Sequence, residues 1–123
     1  MKRQTIEALI DLGVEEGAGA MLPKVRKLLI ADGNRAETIW ILRLMVRECA
    51  DAIGELDCTT CPETCRDETT RFIMVASCAL LTGDADLANE VARQFNRALG
   101  HLEETGIRAD LTDPQEIVVK YIN

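Results

Sequence analysis

The sequence predicts an all-α fold: a small bundle of about five helices arranged as antiparallel hairpins, with a short C-terminal helix. Three observations lead there. Apolar residues recur at helical spacing in successive stretches, alternating β-branched runs are scarce, and most stretches end at a glycine-bearing turn. Aromatic residues make up only 3% of the chain, so its core must be built from Leu, Ile, Val, Ala and Met. A length of 123 residues suits one hydrophobic core, and residues 1–123 read as a single helical domain.

Ile6, Leu9, Ile10, Gly13 and Val14 mark a first helix over about residues 2–17, closed by Gly17-Ala18-Gly19. Pro23 fits the first turn of a second helix, where its missing N–H is not needed, and Val25, Leu28 and Leu29 form the apolar face. Asp32-Gly33-Asn34 ends that helix. A third helix is expected over 35–56. Ile39, Leu42, Met45, Val46, Cys49, Ile53 and Leu56 form its stripe, and Trp40, Ile41 and Leu44 widen it. Arg43, Arg47, Asp51 and Glu55 leave only a narrow polar strip, which reads as a helix central in the bundle or as part of a dimer interface.

The fourth helix, 61–82, begins with a Thr60/Glu63 capping-box pattern and Pro62 in its first turn. Phe72, Ile73, Val75, Ala76, Ala79 and Leu80 bury it, and Thr82-Gly83-Asp84 turns the chain. The fifth, 85–105, sets Leu87, Val91, Phe95, Ala98 and Leu102 against a polar face of Glu90, Gln94, Arg97 and His101. Asp113-Pro114-Gln115-Glu116 reads as the cap of a short helix running to about Ile122. The stretch Leu80–Ala88 resembles the turn of tetratricopeptide hairpins. Phe95 falls where that pattern wants a small residue and its repeat period is missing, so the likeness is a shared hairpin solution.

Several functions lack the residues they need. A net charge of −7 and a pI near 4.7, with Lys24, Arg26 and Lys27 the nearest basic cluster, disfavour nucleic acid and anionic membranes as partners. No stretch approaches the ~20 apolar residues of a membrane span, and the N-terminus reads as no signal peptide, so a cytoplasmic protein is expected. The one histidine, His101, and the one serine, Ser77, form no recognisable nucleophile–base pair. Two Glu-x-x-His motifs for a di-iron site and a phosphate-cradling glycine loop are both missing. The chain reads as non-enzymatic.

What chemistry remains is concentrated in Cys58-x-x-Cys61-x-x-x-Cys65. Cys61 and Cys65 share a helical face one turn apart, near the positive end of the helix dipole, which favours thiolates. If helices three and four form an antiparallel hairpin, Cys49 lies opposite Glu68, within one turn of Cys65, and becomes the fourth candidate ligand. Cys78 follows Cys65 by 13 residues, about 20 Å along a helix at ~1.5 Å per residue, and reads as a core residue instead. The first expectation is a structural zinc on Cys58, Cys61, Cys65 and Cys49. An iron–sulfur cluster on the same ligands, a Cys58–Cys61 thiol–disulfide pair, and ordinary free cysteines are the alternatives. Two functions follow. One is a helical interaction module with a metal-clamped hairpin tip, which meets a protein partner or pairs as a homodimer. The other is an iron–sulfur or thiol-redox accessory protein.

Overall fold

In the computed structural model the described residues are 1–56 and 62–104. They form five α-helices and no strand: α1 (Arg3–Glu16), α2 (Ala18–Ile30), α3 (Arg35–Glu55), α4 (Pro62–Leu81) and α5 (Ala85–Glu104). The expected C-terminal helix and Thr60 of the capping pattern lie outside the described residues. None of the helices is long and apolar enough to cross a membrane.

The first hairpin is tighter than its sequence suggests. Gly17, at a φ of +96°, reverses the chain by itself, and its N–H closes α1 on the Gly13 carbonyl at 2.8 Å. Helix α2 therefore starts at Ala18, and Pro23 lies inside it rather than in its first turn. Pro23 has no N–H for the carbonyl of Gly19. The helix holds because Ala18, Met21, Leu22, Val25 and Leu29 make one continuous buried face. Across the hairpin, Gly13 permits close approach. A Cβ there would lie 2.6 Å from the Met21 sulfur and 3.1 Å from that of Met74 on α4.

The central element is α4, not α3. Helix α4 packs against α1, α2, α3 and α5, whereas α3 packs chiefly on α4 and α5. Every residue from Phe72 to Ala79 is buried. Small side chains at Ala76, Ser77, Cys78 and Ala79 let neighbours close in from several directions. The Ser77 hydroxyl is satisfied within the helix by donating to the Ile73 carbonyl at 2.8 Å. The Phe72 and Phe95 rings stack with centroids 4.7 Å apart and so fix α5 on α4.

Polar groups tie together the end of the bundle where α2 finishes and α3 begins. Asp32 accepts from the Met1 ammonium at 3.1 Å, from the Asn34 N–H at 2.9 Å and from the Thr38 hydroxyl. The Thr38 hydrogen bond, then the Asn34 N–H, hold the Asp32 carboxyl down at about 2. Thr38 is itself fully buried, so the hydrogen bond is shielded from competing water. At the α4–α5 turn, Gly83 takes a φ of +72°, and the Asp84 carboxylate caps α5 by accepting from the Leu87 N–H at 2.9 Å. The Arg35 guanidinium donates to the Thr82 carbonyl and links the start of α3 to this turn.

Candidate functional site

Of the four proposed ligands, the structure describes two. Cys58 and Cys61 lie outside the described residues. Cys65 sits in the first turn of α4, fully buried, and its sulfur is in a disulfide. Its carbonyl accepts the Thr69 hydroxyl at 2.8 Å, so the backbone around it is held as well as the side chain. A disulfide sulfur carries no thiolate lone pair for a metal. Ligation by Cys65 therefore requires reduction first.

Cys49 is a free, buried thiol on the inner side of α3. It lines a cleft of about 130 Å³ with Arg3, Met45, Glu48, Ala52, Glu68 and Arg71. Cys49 and Glu68 thus share one cavity wall, as the antiparallel α3–α4 register leads one to expect. The charges around the thiol are mixed. Glu48 is engaged by Arg3, and Arg71 reaches Asp11 on α1 at 3.2 Å. Burial pushes the Cys49 thiol up to about 11, with Arg71 opposing the rise and Glu68 adding to it. At neutral pH it is a thiol and not a thiolate. Among the described residues, no group of three His, Cys, Asp or Glu side chains is placed to hold a metal ion.

Cys78 is where its spacing from Cys65 puts it, deep in the core. Its sulfur lies 3.8 Å from that of Met21, and burial pushes its thiol up to about 12. The Ser77 hydroxyl is buried and committed to its own helix.

A second polar cluster has no counterpart in the sequence reading. Glu90, expected on the polar face of α5 opposite its apolar stripe, is buried at 2% exposure. Arg47 of α3 donates to one of its oxygens, and Arg93 donates to the other from both Nε and a terminal nitrogen, at 3.1 and 2.6 Å. Burial alone would raise the Glu90 carboxyl, but hydrogen bonds from the two guanidinium groups outweigh it and the net shift is downward. One turn along, Arg97 pairs with Asp51. The polar strips of α3 and α5 thus meet at two points, Arg47 with Glu90 and Asp51 with Arg97. Their opposite charges at matched helical spacing were the available signal.

One member of that strip is left over. The Arg43 side chain is half-buried, and its Nε is buried with no hydrogen-bond partner among the described residues. Trp40 and Leu44 lie beside it on the same helix, Trp40 at 56% exposure and Leu44 half-buried. Comparison of the chain with protein-family models, with curated proteins and with solved structures finds no match. The functional reading therefore rests on the site alone.

Proposed function

We propose that the chain is a non-enzymatic helical interaction module of the cytoplasm. Its α3–α4 hairpin tip is clamped through cysteines, and the outer face of α3 meets a protein partner or a second copy of the chain. Trp40 supports this reading most directly. It is the only tryptophan in the sequence, its side chain is more than half exposed, and Leu44 continues the same face one turn later. Tryptophan is enriched where proteins meet and is a poor choice for a face that meets only water. Gently purified wild-type and Trp40→Ala chains should differ by sedimentation, with an associated protein or a dimer lost in the variant. A strict monomer with no associated protein in both would sink the reading.

The disulfide at Cys65 favours a second reading of the tip, as a thiol–disulfide site of a redox accessory protein. The structural zinc on Cys58, Cys61, Cys65 and Cys49 remains the clamp proposed for the reduced chain, and an iron–sulfur cluster draws on the same four thiolates. Elemental analysis and a thiol count on anaerobically purified, unfolded protein separate these states. Five reactive thiols with one zinc per chain support the metal clamp. Three reactive thiols and no metal support the disulfide.

A further inference from the structure

Trp40, Arg43, Leu44 and Arg47 recur at the spacing that stacks side chains along one face of α3. Arg93 joins them from α5 through the shared carboxylate of Glu90. Charge on this face is unbalanced. Two guanidinium groups divide one carboxylate, and Arg43 has no ion pair among the described residues. Arg47 and Arg93 keep 47% and 67% of their side-chain surface exposed, so both have outer edges free to donate again. A cationic strip beside an exposed tryptophan is thus embedded in a chain of net charge −7.

We propose that the α3–α5 face formed by Trp40, Arg43, Leu44, Arg47 and Arg93 docks an acidic protein segment carrying one large apolar side chain. The apolar group packs on Trp40 and Leu44, while its carboxylates take the fork-shaped donors of Arg43 and the free edges of Arg47 and Arg93. The inference rests on the interaction-module reading and names its partner. Charge decides among the occupants. A basic segment meets like charge at three arginines. A second copy seated face to face about a two-fold axis sets the same cationic strip against itself. A polyphosphate backbone is repelled by the acidic remainder of the chain, whereas a short acidic segment carries few charges beyond those the arginines neutralise.

A random peptide library displayed on phage and panned against the full chain tests this. Enriched peptides are then titrated against wild-type, Trp40→Ala, Arg43→Glu and Arg43→Lys chains. Sequences rich in Asp and Glu around a Leu or aromatic residue are expected, with affinity falling about tenfold or more for Trp40→Ala and Arg43→Glu. Arg43→Lys should lose less than Arg43→Glu, because it keeps the charge without the fork. Circular dichroism on each variant checks that the helices persist. Enrichment of basic or neutral peptides, or acidic peptides indifferent to both substitutions, overturns the proposal while leaving the module reading intact. A salt-sensitive dimer dependent on Trp40 makes the occupant a second copy and overturns it too. No enriched peptide together with a strict monomer removes both readings.

Discussion

Helices α3 and α4 are nearly equal in length, 21 and 20 residues, and both carry more apolar side chains than one neighbour could cover. They use that excess differently. Helix α4 buries its middle on every side, with Phe72 large and Ala76, Ser77, Cys78 and Ala79 small. Helix α3 buries Leu42, Met45, Val46, Cys49 and Ile53 but leaves Trp40 in solvent beside cationic side chains. Small residues let a helix sit at the centre, because its neighbours can approach from all directions. Bulky apolar residues bordered by charge keep a helix at the margin with a face to offer.

Truncation of the central helix should produce the largest effect. Phe72→Ala removes a fully buried ring and its stack on Phe95, and should lower stability by about 3–5 kcal/mol in urea denaturation. Breaking the polar seam between α3 and α5 ranks next. Glu90→Gln keeps the shape but weakens the bonds from Arg47 and Arg93, both well exposed, so a loss of about 1 kcal/mol is expected. A stability rise in this variant would mean that burying the charge outweighs its pairing. Removing the α5 cap by Asp84→Ala should cost about 1 kcal/mol by the same assay.

The pH dependence has a definite sign. Asp32 titrates at about 2 in the folded chain against an ordinary value of 3.8, and Glu90 is also shifted downward. A carboxyl with a lowered folded pKa binds its proton more readily when unfolded. Its contribution is complete above the ordinary carboxylate range and is lost as pH falls through the folded value. For Asp32 that window runs from 3.8 down to about 2. Thermal melts across this range should show Asp32→Asn flattening the acid-side fall in stability. An unchanged profile would mean that Asp32 is not held by Thr38 and Asn34 as described. At the far end of the scale, Trp40→Ala on α3 should change stability by no more than ~0.5 kcal/mol, since its side chain packs little of the core.

The comparison of the two helices also shows what could be read from residues alone. Helix boundaries other than the start of α2 were legible because Gly17, Asp32-Gly33-Asn34 and Thr82-Gly83-Asp84 punctuate the periodic stretches. The facing of Cys49 and Glu68 and the burial of Cys78 in the core follow from hairpin register and helix rise, and both match the structure. Centrality was misread because a count of apolar residues favours α3, whereas packing favours the smaller side chains of α4. Glu90 escaped because one helix's periodicity carries no information about which other helix lies across from it. Glu90 became buried only because α3 supplied Arg47 in register, with Asp51 pairing Arg97 one turn along.

Acrylamide quenching of the single tryptophan in the full, unliganded chain tests the exposed α3 face most directly. With Trp40 at 56% exposure, emission should be red-shifted and readily quenched in the folded chain, with only a modest further gain on unfolding. Blue-shifted emission that resists acrylamide until the chain unfolds would show the α3 face already covered, and would contradict its role as an open docking surface.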